Sequence, residues 1–162
     1  MGQYGTRLMD EGFVPPVPLI AEGWRLEPLG AEHNASDHRA WMSSIEHIRT
    51  TPGFSGRPWP FPMTREENLQ DLIDHRVGFE AGHEFSYTVL DDEGAVIGCV
   101  YVLADDTDDR PDAVYLRSWV RADRSALDGP LRLAVLSWLR SNWPFSSVRV
   151  DLEQPSRPNG PS

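Results

Sequence analysis

Between Gly94 and Leu152 the chain spells a layout that few folds accommodate. Ala95-Val96-Ile97-Gly98-Cys99-Val100-Tyr101-Val102-Leu103 is apolar almost throughout, so it belongs in the middle of a sheet covered on both faces. An acidic connection, residues 105–112, leads to a second strand-like run, Ala113-Val114-Tyr115-Leu116-Arg117-Ser118-Trp119-Val120-Arg121. A charged loop from Ala122 to Gly129 feeds an amphipathic helix from about Pro130 to Ser141, with Leu131, Ala134, Val135, Trp138 and Leu139 at core spacing. Ser147 to Leu152 closes the stretch as a strand. A helix between two strands crosses over right-handed and makes them parallel, whereas the turns before it make their strands antiparallel. The sheet is therefore mixed. A loop opening a helix beside it can receive a phosphorylated ligand.

Upstream, prolines in Phe13-Val14-Pro15-Pro16-Val17-Pro18 predict an extended arm over residues 1–22. Trp24 to Leu29 alternates as a half-buried strand. Trp41, Ile45 and Ile48 predict one helix from about Glu32 to Arg49, stopped by Thr50-Thr51-Pro52-Gly53. Phe54 to Pro62 is a loop dense in aromatic residues and proline. Thr64 and Glu67 form a capping box for a second helix whose apolar face is Leu69, Leu72, Ile73 and Val77 and which ends near Gly82. Phe85 to Leu90 is a strand, and Asp91-Asp92-Glu93-Gly94 a tight hairpin turn. The expected fold class is α/β, a mixed, mostly antiparallel sheet with helices on both faces. The expected division is an arm (1–22), one domain (23–152) and a disordered tail (153–162).

A formal net charge of −10 excludes nucleic acid and anionic membrane as default partners and favours a cationic acceptor such as an amine. The single cysteine, Cys99, forms no internal disulfide, which suits a reducing cytoplasm. No apolar run reaches the length of a membrane helix, and no His/Cys/Asp spacing forms a metal site. The acidic stretch 105–112 fails the calcium-loop pattern, with Arg110 where that loop needs glycine, and reads as a solvated hairpin loop.

The element order, opened by Arg25-Leu26-Glu27-Pro28-Leu29, resembles the GNAT superfamily of acyl-CoA-dependent N-acyltransferases. The segments Tyr87-Thr88-Val89-Leu90-Asp91-Asp92-Glu93-Gly94-Ala95-Val96-Ile97-Gly98 and Ser118-Trp119-Val120-Arg121-Ala122 carry the likeness, over roughly residues 24 to 152. The resemblance implies acetyl-CoA as acyl donor, no metal, and an amine of a small molecule or protein as acceptor. It also implies a strand end (Trp119, Val120, Arg121) that splays from its parallel neighbour to hold the pantetheine arm. The N–H near Val120 would be the oxyanion donor, and a loop containing Arg124, Ser125, Leu127 and Gly129 would cradle the pyrophosphate. That loop departs from the family's Arg/Gln-x-x-Gly-x-Gly/Ala pattern: Leu127 stands at the first glycine, Asp128 is a good N-cap that competes with an anion, and Pro130 lacks an N–H. Family members continue past this strand with a helix that often supplies a tyrosine as general acid. No counterpart of that tyrosine is found here, so another residue or a second subunit of a homodimer would serve.

Acyl transfer to an amine needs a base, an oxyanion donor and a proton source for the departing thiolate. Glu80, His83 and Glu84 cluster where the second helix meets a central strand, either as the base or as a solvated helix end. His47 is a further candidate, or a surface histidine at a helix terminus. Tyr101, Tyr115 and Ser118 are possible proton donors. Trp59 and Phe61, with Tyr87 and Tyr101, either wall an acceptor pocket or pin the fold. Cys99 reads as inert core filler rather than a nucleophile. Two rival expectations remain, a GNAT-shaped binding module without catalysis and an acyl-CoA enzyme of non-amine chemistry.

Overall fold

The computed structural model describes residues 7–152. Six strands pair in chain order: β1 (Ile20–Ala21), β2 (Trp24–Pro28), β3 (Phe85–Asp91), β4 (Val96–Ala104), β5 (Ala113–Val120) and β6 (Ser147–Val150). All neighbours are antiparallel except β5 and β6, which are parallel. The helices are α1 (Asn34–Met42), α2 (Ile45–Arg49), α3 (Arg65–Ala81) and α4 (Asp128–Asn142).

Strand alternation divides the core in two. Cys99 and Trp119 turn to one face and join Leu29, Trp41, Ile48, Phe54 and Leu72 from the segment between β2 and β3. Val100, Val102, Leu116 and Val120 turn to the other and join Leu131, Val135, Trp138 and Leu139 of α4. Trp41 and Trp119 are almost fully buried; truncating either to alanine would cost about 3–5 kcal/mol. The β3–β4 turn needs positive φ at Gly94, which is 84°. Gly98 allows the strands to approach, since a Cβ there would collide with the Trp119 carbonyl.

Several expectations are corrected. The helix read over residues 32–49 breaks at Ser43-Ser44 because Ser44 Oγ accepts the Ala122 N–H at 2.8 Å, a tertiary bond that ends α1 there. The α3 capping box forms, with Thr64 Oγ1 and Glu67 each accepting the other's backbone N–H. Its buried face, however, carries Asn68 and Leu72, while Ile73 and Val77 are exposed. Asp128 is the first residue of α4, after Leu127 as N-cap. The final strand stops at Val150, and the arm contains β1. Within the acidic stretch 105–112, Asp105 is buried and bonded to Arg149 of β6 at 3.0 and 3.1 Å. Residues 1–6 of the arm and the tail 153–162 lie outside the described residues. No helix among those described is long and apolar enough to cross a membrane.

Candidate active site

The sheet face beneath α1 and α3 opens into a cavity of about 400 Å³. Tyr101 and Arg117, opposite one another in the β4–β5 register, form its floor. Trp41, Phe54 and Trp59 make an aromatic wall, with Trp59 centred 5.2 Å from Trp41 and 5.8 Å from Phe54. Phe61 stands at the half-exposed rim. The loop carrying Trp59 is tied down by Arg49, whose Nε and Nη2 both donate to the Pro60 carbonyl, at 3.1 and 2.9 Å. Helical spacing aims Asn68, Asp71 and His75 of α3 into the cavity, and α1 adds Asp37.

The polar groups are ordered. Asn68 Nδ2 donates to Asp37 Oδ2 at 3.0 Å and Trp41 Nε1 donates to Asn68 Oδ1 at 3.0 Å. Burial raises the Asp37 pKa to about 6, against the pull of Asn68 and the nearby histidines. His75 Nδ1 lies 2.6 Å from Glu84 Oε1, which also accepts the Ser86 hydroxyl at 2.6 Å. In the neutral ring that bond places the hydrogen on Nδ1 and leaves the lone pair on Nε2. Burial opposes charging His75, but Glu84, with Asp71 and Asp37, outweighs it and raises the pKa. Tyr101 Oη accepts from Trp119 Nε1 at 3.0 Å, and burial holds its pKa well above the usual phenol range. Burial likewise pushes the Cys99 thiol up, so Cys99 is a neutral core group rather than a nucleophile. The histidine at one end and the arginine at the other share the Tyr101 ring: it is centred 5.7 Å from the His75 ring and 5.6 Å from the Arg117 guanidinium carbon.

Beside the cavity β5 has an open flank. Arg121 N bonds to Ile97 O and Asp105 N to Ala113 O, which puts the hydrogen-bonding groups of odd-numbered β5 residues toward β4. Even-numbered residues therefore face β6, whose ladder ends at Leu116↔Val150. The backbone groups of Ser118 and Val120 lie beyond that last pair.

Solved structures share this architecture. Ribosomal-protein-S5-alanine acetyltransferase from Vibrio fischeri superposes with a TM-score of 0.58 at 17% identity, over 76% of this chain and 67% of its own. RimL, the ribosomal L7/L12 alpha-N-protein acetyltransferase in complex with coenzyme A, gives 0.56 at 12%, over 76% and 68%. A chimera of spermidine N-acetyltransferase SpeG from Vibrio cholerae gives 0.55 at 10%, over 80% and 70%. The chain has the GNAT fold. The sequence matches no protein-family model and no curated protein.

Against a GNAT coenzyme site the residues present fit well in one part and conditionally in another. The open flank at Ser118 and Val120 fits a pantetheine arm. At the pyrophosphate end, the loop Ala122–Leu127 is wound into 3-10 turns. Ala122 N is taken by Ser44 and Arg124 N by the Arg121 carbonyl. Arg121 is bonded to Asp123 and Arg124 to Asp91. Asp128, its pKa raised by burial, sits at the start of α4 with His47 at 3.0 Å and Arg132 at 3.6 Å. Arg132 itself fits an anion. It is buried, and its Nε and Nη2 have no hydrogen-bond partner.

The sequence-derived candidates scatter. Glu84, Trp59, Phe61 and Tyr101 gather at the cavity or directly behind it. Trp119 lies under it, supporting Tyr101. Glu80 and His83 are outside the lining, Glu80 being exposed on α3. Tyr115 donates to Asp151 at 2.8 Å. Tyr87 packs on Trp138 on the opposite face, where Ser118 Oγ is also buried. Ser125 is exposed, Leu127 packs on the α4-side core, and Gly129 is half-buried. His75, Asp37, Asn68 and Arg117 were missed. The available signal was a polar residue in helical register with an apolar stripe: Asp37 four before Trp41, and Asn68 four before Leu72.

Proposed function

We propose that this chain is an acyl-CoA-dependent N-acetyltransferase that transfers an acetyl group to a primary amine by direct attack. The observation that carries it is His75 in an aromatic cavity, paired with Glu84 behind it, alongside the open flank of β5. Acetyl-CoA supplies the activated acetyl thioester. Asp37 and Asp71 draw the cationic amine into the cavity. His75 Nε2 accepts a proton from it, with Glu84 orienting the ring and balancing its charge. The Val120 N–H, facing the open flank, is the oxyanion donor, and Tyr101, protonated at neutral pH, is the nearest proton donor on the floor. Arg132, with Arg121 and Arg124 nearby in sequence, would hold the pyrophosphate. The neighbours' acceptors, ribosomal proteins and spermidine, are amines of the two kinds in view here. A cytoplasmic site belongs to the same proposal, since Cys99 is a buried free thiol.

Titration calorimetry with acetyl-CoA and with free CoA tests this. Micromolar binding of both, followed by mass-spectrometric detection of acetylated product from an amine panel, is expected. Arg124→Ala should weaken CoA severalfold; unchanged affinity removes Arg124 from the phosphate site. The occupied start of α4 favours one alternative, a GNAT-shaped binding module. A folded protein that shows neither heat nor thermal shift with any acyl-CoA would establish it.

A further inference from the structure

We propose that the acceptor is dipolar, a primary amine that also bears a carboxylate, with the amine at the Asp37–His75 side of the cavity and the carboxylate on Arg117 and Arg57. This rests on the cavity being the acceptor site. Arg117 rises from the floor with its guanidinium carbon 5.1 Å from the Phe54 ring centre and 5.6 Å from that of Tyr101. Its Nε is buried without a hydrogen-bond partner. Among the described residues neither Arg117 nor Arg57 has a carboxylate within 4.0 Å, whereas Arg76, Arg121 and Arg149 each find one.

That omission is physically costly. The chain has 25 acidic residues against 15 basic ones, so a half-buried arginine beside a second arginine has no shortage of available counterions. Stacking on Phe54 and Tyr101 offsets part of the desolvation but leaves the planar donor fork unused. Burial, and after it the charge of Arg57, holds the Arg117 pKa below its ordinary value. A fork without a protein acid, opening into a cavity, matches a carboxylate bidentately. The opposite wall has the opposite character, with Asp37, Asp71 and the Glu84-paired His75. A plain cationic amine would satisfy that wall and be repelled by the arginines. A plain carboxylate would meet the reverse.

The test is direct binding in the absence of coenzyme, by calorimetry and thermal shift, using two matched sets. One is L-phenylalanine, 2-phenylethylamine and 3-phenylpropanoate. The other, with a longer separation of charges, is 4-(aminomethyl)benzoate, benzylamine and 4-methylbenzoate. In at least one set the dipolar compound should bind at least about tenfold tighter than either partner. That preference over the amine should fall to about unity in Arg117→Gln, shrink in the solvent-exposed variant Arg57→Gln, and return in part in Arg117→Lys. Equal or tighter binding of the amines in both sets overturns the proposal. So does a preference that persists in the Arg57→Gln/Arg117→Gln double variant, or the absence of binding by all six compounds. Because no coenzyme is present, dipolar binding without acetyl transfer would sink the transferase reading alone. Transfer to benzylamine at least as efficient as transfer to 4-(aminomethyl)benzoate, so that the added carboxylate brings no benefit, would sink this inference alone.

Discussion

Asp37 is the residue whose position is hardest to justify by stability. It is 3% exposed and its pKa is raised from 3.8 to about 6. A raised folded-state pKa favours the protonated form, so this contribution to stability is complete below about pH 4 and is lost as pH rises through about 6. At neutral pH the buried charge costs on the order of 3 kcal/mol relative to the neutral acid. Asp37→Asn keeps an acceptor for Asn68, and its denaturation midpoint should exceed that of the parent above pH 6 and converge with it near pH 4. A variant less stable at every pH would show that the carboxylate is structural rather than retained for its charge. Glu84 acts in the other direction on His75. Activity should rise with pH through a midpoint above 6.5, the ordinary histidine value, because the free base is the competent form. Glu84→Gln should lower that midpoint and reduce the plateau by about tenfold to a hundredfold; a pH–rate profile with an unmoved midpoint would remove the pair from the mechanism. Glu84 was legible in the sequence as a carboxylate between helix and strand. His75 was not, because the apolar stripe Leu69, Leu72, Ile73, Val77 does not include its side of the helix, and only packing reveals that Ile73 and Val77 face water.

At the scale of elements, strands and loops were unequally readable. Alternation and apolar runs located β2 to β5 to within a residue or two, since strand burial is a local pattern. The loop before α4 was not readable, because its backbone is set by partners far away in sequence: Ser44 for Ala122, 78 residues apart, and His47 for Asp128. The same contacts make the start of α4 adjustable. Asp128 occupies the positive helix end with the wrong sign for a phosphate. Asp128→Asn should strengthen CoA binding severalfold in calorimetry, and unchanged or weaker binding would mean that the coenzyme passes elsewhere. His47→Ala, which frees the carboxylate without removing it, should not reproduce the gain.

For the whole molecule, the last strand bears on assembly. At the edge of the sheet, β6 has four residues and carries Arg149, paired with Asp105 of the β4–β5 connection. Short, charged edges resist pairing. Light scattering should therefore return 18.3 kDa, the mass of one chain; twice that value would restore the dimer. The mixed sheet was legible as a whole because a helix between two strands admits one handedness of connection. The cavity was not, because its parts come from distant stretches of chain. Asp37, Trp41, Phe54, Trp59, Asn68 and His75 all belong to the excursion between β2 and β3, whereas Tyr101 and Arg117 belong to strands formed by neighbouring hairpins. The floor is thus built by short-range pairing and the roof by a single long detour. Such a molecule can change what its cavity accepts by rewriting the detour, while the strands beneath it keep their register.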